Sequence, residues 1–162
     1  MRSDVAHHEP PPPPRALSQQ GRAFEVMVRN AMWARVDAVS RDDLDTLVAL
    51  ERAAADRVEP ARSVVMGRSV WDEALEEYYA EHDSVGISAD ARSPKLLAWT
   101  AERGVPAGVA DEDAPEARLW RIAQTIDDPA GDHDWVIEAV ADLDASDEAG
   151  ELVLATVAMR RL

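Results

Sequence analysis

Cysteine is absent from these 162 residues, which removes disulfide bridges, thiolate nucleophiles and zinc-thiolate sites together and fits a cytoplasmic setting. Lysine occurs once, at Lys95, and phenylalanine once, at Phe24. No run approaches the ~18 consecutive apolar residues of a membrane span, and the N-terminus runs from Met1 through His7-His8 into prolines where a signal peptide needs an apolar stretch. Positive charge is also scarce. Seventeen basic residues face 32 acidic ones, for a formal net charge of −15. A surface of that sign repels phosphate backbones, so direct nucleic-acid binding by this chain alone is disfavoured. Missing too is the Gly-rich phosphate cradle ending in Lys-Ser or Lys-Thr that an ATPase engine needs.

What is present is enough for one core. The 46% hydrophobic content against 30% charged lies in the globular range. Five consecutive prolines, Pro10 to Pro14, fix φ and remove amide donors, so residues 1–17 read as a disordered, Pro-rich tether ahead of a single domain over 18–162. Phe24, Val28, Met32, Val36 and Val39 trace one stripe of a helix, with Ser18 expected as its N-cap. Ser40 and Asp43 resemble a capping box before Leu44, Leu47, Val48, Leu50 and Ala54, a second helix that stops ahead of Pro60. Trp71, Leu75, Tyr78, Tyr79 and His82 predict a third after Gly67. Pro94 to Trp99 opens either a short helix or a strand, and 104–115 is loop-like and acidic.

Over the last 45 or so residues the period changes to two. Strands are expected around Trp120 to Ile126, Trp135 to Leu143 and Leu152 to Met159, joined by turn-rich connections at 127–134 and 144–150. The expected fold class is therefore α+β, with N-terminal helices packed on one face of a curved antiparallel sheet in a cone-like arrangement.

Three clusters offer chemistry. Tyr78, Tyr79, His82 and Asp83 place a donor, a titratable ring and a charge at the end of one helix, where they could line a pocket. Core tyrosines beside a helix-capping histidine account for the same residues. Trp33, Trp71, Trp120 and Trp135, with Trp99, could wall a cavity or simply supply the bulk of the core. Asp127, Asp128, Asp132, His133 and Asp134 could hold a hard cation, but turn chemistry already explains them, and their spacing matches no calcium loop. The expectation is no metal, no cofactor and no catalytic residue. Asp147-Glu148-Ala149-Gly150 resembles a Walker B tetrapeptide superficially, with no apolar strand leading into it.

Several segments, PPPPRALSQQGRAF (11–24), MVRN (27–30), YAEHDSVGISADAR (79–92), DLDASDEAG (142–150) and above all DDPAGDHDW (127–135), resemble the domain of unknown function that follows the two motor domains of actinobacterial DEAD/DEAH-box superfamily II helicases. The resemblance runs from Pro10 nearly to the end. It implies a non-catalytic accessory module whose helicase ATPase lies in domains not present in these residues. The chain is then either a free-standing relative of that tail or part of a helicase gene, and its expected partners are a helicase, an RNA-processing protein or a second copy of itself as a homodimer. The order of elements also resembles the cone fold of nuclear transport factor 2 and ketosteroid isomerase. That resemblance implies, as an alternative, a small-molecule binder or isomerase-like enzyme with its pocket at Tyr78, Tyr79, His82 and Asp83.

Overall fold

The computed structural model describes residues 10–13, 15–110 and 114–162. Pro14, the acidic residues 111–113 and residues 1–9, with the His7-His8 pair and most of the expected tether, lie outside the described residues. Three helices come first: α1 (Arg22–Ser40), α2 (Leu44–Asp56) and α3 (Arg68–Glu81). They are followed by β1 (Leu97–Gly104), β2 (Ala117–Thr125), β3 (Trp135–Asp142), α4 (Leu143–Ala149) and β4 (Leu154–Arg161). The strands form one antiparallel meander in the order β1-β2-β3-β4, which makes the fold α+β. A register shift between Glu138 and Ala139 interrupts the β3/β4 ladder.

α1 buries the stripe that its spacing predicts and α3 buries Trp71, Leu75 and Tyr78 of its own, whereas α2 buries only Leu47 and Ala54 of the expected stripe, with Glu51 beside them. Phe24, Val28, Met32, Val36 and Val39 of α1 meet Leu47 of α2 and Trp71, Leu75 and Tyr78 of α3, and the inward residues Ile122, Trp135, Ile137, Ala139 and Leu154 of the sheet complete the core. The opposite sheet face carries a smaller cluster of Ala117, Leu119 and Val140. Ion pairs run across that face between strands, Arg121 with Glu102 and Arg160 with Glu138. Among the described residues no helix is long and apolar enough to cross a membrane.

The helix starts differ from expectation. Ser18 is not the N-cap of α1: it sits in a short 3-10 turn (Leu17–Gln19), and α1 begins after Gly21 at φ 52°. Both the amide and the hydroxyl of Ser18 are already used, each donating to Asp147 at 2.7 Å, while Leu17 packs onto the core. Ser40 likewise closes α1 instead of opening α2, its hydroxyl donating to Asp37 O. Asp43 caps α2 through the amide of Thr46.

The connection 144–150 is a helix, α4, not a hairpin loop. Its signals are local: Asp142 accepts from the Ala145 amide at the N-terminus, and Gly150 at φ 70° takes the left-handed closing position. Ser146, fully buried, donates to Asp142 O and accepts from Val153 N, tying α4 to the start of β4. The tetrapeptide 147–150 therefore spans the end of α4. Pro94–Leu96 is a 3-10 turn that leads directly into β1, an edge strand whose residues 100–103 are all exposed.

A network of charge lies inside the core. Arg35 of α1 and Glu51 of α2 pair at 3.1 Å, with side chains 4% and 2% exposed. Thr156 of β4 joins them. Its amide and hydroxyl donate to Glu51 at 2.8 and 2.9 Å, and Arg35 Nε donates to its Oγ1 at 2.7 Å. Arg35 Nη1 also donates to Ala31 O. The three elements are thus joined by a charged network in which each partner is satisfied.

Candidate functional site

The C-terminal end of α3 meets the β2–β3 connection, and most of the candidate residues meet there. The amphipathic register of α3 turns Tyr78 inward, where its ring is edge-on to Trp135 (5.4 Å between centroids) and to Tyr79 (5.2 Å), and lies 5.2 Å from His82. Trp71 is fully buried about two turns earlier on the same face of α3, and its indole N–H has no partner. Tyr78 and Trp135 are at most 1% exposed. Both tyrosine hydroxyls are committed, Tyr78 to Ser84 O at 2.7 Å and Tyr79 to Val39 O. Burial raises the pKa of each phenol, and nearby carboxylates add to this, chiefly Asp128 for Tyr78 and Asp42 for Tyr79. A phenol bonded to a carbonyl and held protonated secures a helix end; it offers no free acid to a ligand.

The loop 127–134 is held by one carboxylate. Asp128, 4% exposed, accepts from the amides of Asp132 (3.0 Å) and His133 (2.7 Å). Burial would raise its pKa, but these amide bonds outweigh that and keep it below the usual carboxylate value. Gly131 at φ 72° and His133 at φ 52° supply the left-handed turns, and the Gly86 amide donates to Asp127 O at 2.7 Å, which fastens the loop to the segment after α3.

His82 lies between this loop and α3. Its ring nitrogens face two carboxylates, Nδ1 to Asp128 Oδ2 at 3.9 Å and Nε2 to Asp134 Oδ1 at 3.5 Å. Neither Nε2 nor Asp134 Oδ1 has a hydrogen-bond partner, although both atoms are buried. Glu81, beside His82, accepts from the Trp135 indole at 3.0 Å. Arg161 of β4 reaches over the group, with Nη1 3.3 Å from Glu81 and Nε 3.3 Å from Asp134.

The other candidates lie apart. Asp83 is exposed, and His133 points outward with Nε2 3.1 Å from Asp127 Oδ1. Trp120 stacks on Trp99 at 5.3 Å with Phe24 edge-on at 5.0 Å, and Trp33 receives the Arg92 guanidinium over its ring at 4.8 Å. Trp71 and Trp135 therefore belong to the core, while Trp33, Trp99 and Trp120 are half-buried and pack at its edge. A narrow, partly open recess among Glu51, Arg62, Val140 and Asp142 has a volume of about 20 Å³, room for about one water. A wider, open recess of about 410 Å³, lined by Arg62, Pro106, Asp142 and Glu148 among others, lies on a different side from Tyr78 and His82.

Glu81, Asp134 and Arg161 are the members that sequence reasoning did not bring together. Glu81 reads as one more wet glutamate on α3 and Asp134 as a turn former, and 80 positions separate Glu81 from Arg161. The signal that existed was the pairing of a histidine after α3 with the dense Asp/His run at 127–134.

No curated protein and no solved structure matches the chain. One family model does, over residues 2–159, and that coverage places the chain in the family described as a domain of unknown function, DUF3516.

Proposed function

We propose that this chain is a non-catalytic interaction module of the kind that accompanies superfamily II helicase motors, acting by contact with a partner protein. The observation that carries the reading is the filled interior along α3. Trp71, Tyr78 and Trp135 occupy the space that a pocket would need, and both tyrosine hydroxyls are spent on backbone carbonyls. A small-molecule site requires a concave, largely apolar space of roughly 300 Å³ with free polar groups converging on it. The resemblance of 127–135 and its flanking segments to helicase tails supplies the partner class, and the charge of −15 favours a basic protein surface over a nucleic acid.

The test is affinity capture of the tagged protein from its host's lysate at low and moderate salt, with mass spectrometry. A superfamily II helicase or an RNA-processing protein retained at moderate salt is the expected result. Recovery of the bait alone under both conditions would overturn the stable-partner reading and redirect work to ligand screening.

A further inference from the structure

We propose that Glu81, His82 and Asp134 form a binding site for a divalent transition metal of the zinc type, closing the β2–β3 loop onto the end of α3. The proposal goes beyond the interaction role and does not depend on it. One donor atom from each of the three residues lies within 4.8 Å of the other two. Acidic clusters are common without ions, so the argument rests on the imidazole. The His82 side chain is only 9% exposed, its Nε2 is buried without a hydrogen-bond partner, and that nitrogen is aimed at the equally unpartnered Asp134 Oδ1. At 3.5 Å the two atoms are too far apart for a good hydrogen bond, and neither finds another partner. A metal ion between them would satisfy both.

The surroundings are acidic and polar. Asp128 Oδ2 lies 3.9 Å from the other ring nitrogen, Nδ1, beyond hydrogen-bond reach, and adds negative charge beside the imidazole. The Trp135 indole donates to one Glu81 carboxylate oxygen and leaves the other facing Arg161. Arg161 spans Glu81 and Asp134 with its guanidinium, so a cation already sits over the two carboxylates, and its 61% exposed side chain is free to swing away when a metal enters. Zinc-ligand distances near about 2 Å require the donors to draw together by a small amount. Exposed Glu81, at a helix end, provides that movement. One imidazole with two carboxylates suits borderline ions such as Zn²⁺ and Co²⁺ better than Mg²⁺ or Ca²⁺, which take all-oxygen sets.

The experiment is titration of the full chain, stripped with EDTA, by Zn²⁺ in a calorimeter and by Co²⁺ followed by visible absorption. His7 and His8 are changed to alanine so that the N-terminal pair does not compete. The expected result is one equivalent of metal bound and a higher thermal midpoint with Zn²⁺ present. Glu81→Gln keeps an acceptor for Trp135 and should weaken binding by at least about tenfold, as should Asp134→Asn, since each removes a charged ligand. Arg161→Gln should tighten binding severalfold, because the competing guanidinium is gone; a role of the cluster in folding alone predicts no such gain. No binding by the His7→Ala/His8→Ala chain, or affinity in Glu81→Gln and Asp134→Asn unchanged from that parent, would overturn the proposal.

Discussion

Replacing Arg35 or Glu51 alone should cost far more than replacing both. The pair is almost fully buried at 3.1 Å, and burial depresses the Arg35 pKa while the Glu51 carboxylate works in the opposite direction. Glu51→Gln leaves a buried guanidinium with only Ala31 O and Thr156 Oγ1, and Arg35→Met leaves a buried carboxylate with only the two Thr156 donors. Each single change strands an uncompensated charge, at about 3–5 kcal/mol. In the double variant Arg35→Met/Glu51→Gln no charge remains, the glutamine oxygen still accepts from the Thr156 amide, and its NH₂ can donate to the hydroxyl. The double variant should therefore lie within about 1.5 kcal/mol of the parent, a coupling of several kcal/mol. Urea unfolding at pH 7 followed by tryptophan fluorescence measures all four corners of the cycle. If either single variant loses less than about 1 kcal/mol, or the double loses the sum of the singles, the network is not the closed charge pair described here.

Three further outcomes follow from local geometry. Gly150→Ala forces a Cβ into φ 70° with nothing within 4 Å to clash, so the loss should be conformational only, about 1 kcal/mol in urea unfolding, with the m-value unchanged. Gly86→Ala is different: its Cβ would lie 2.7 Å from Asp127 Oδ2 and 2.8 Å from Asp127 O, so the loop must shift, at about 1–3 kcal/mol, with chemical-shift changes concentrated at 127–134. Asp128 has a folded-state pKa below its unfolded one. Its contribution is therefore present above about pH 4 and lost as pH falls through the folded value. Acidification also relieves repulsion in a chain of charge −15, so the clean readout is the gap in urea midpoint between the parent and Asp128→Asn. That gap should be widest near pH 7 and narrow below pH ~4; a gap that widens on acidification would refute the assignment.

The amphipathic helices were legible in the sequence because every residue of an apolar stripe reports the same period. Phe24, Val28, Met32, Val36 and Val39 all end in the core. β2 was legible for the same reason, with a period of two; β3 showed Trp135, Ile137 and Ala139 alternating with Glu138, although seven of its eight residues are buried; β4 stood out as a run apolar on both sides. β1 was not, because an edge strand with residues 100–103 exposed has no alternation to show, and only its pairing with β2 identifies it. α4 hid behind turn-forming residues that serve equally as helix caps: Asp142 and Gly150 mark a helix only when the backbone between them closes its bonds.

The candidate cluster divides along the same line. Composition and spacing determined that the chain has an N-terminal helical half, a C-terminal meander, no thiol chemistry and a strongly acidic surface. They also placed Tyr78, Tyr79 and His82 at one helix end and a dense Asp/His run at 127–134. Only the tertiary structure decided that Tyr78 is core, that His133 points outward while His82 faces Asp134, and that Glu81 and Arg161 join the group from α3 and β4. The reason is physical: periodicity records which face of an element is buried, whereas a site is set by which buried faces meet, and that is fixed by long-range packing between residues whose spacing along the chain carries no signal.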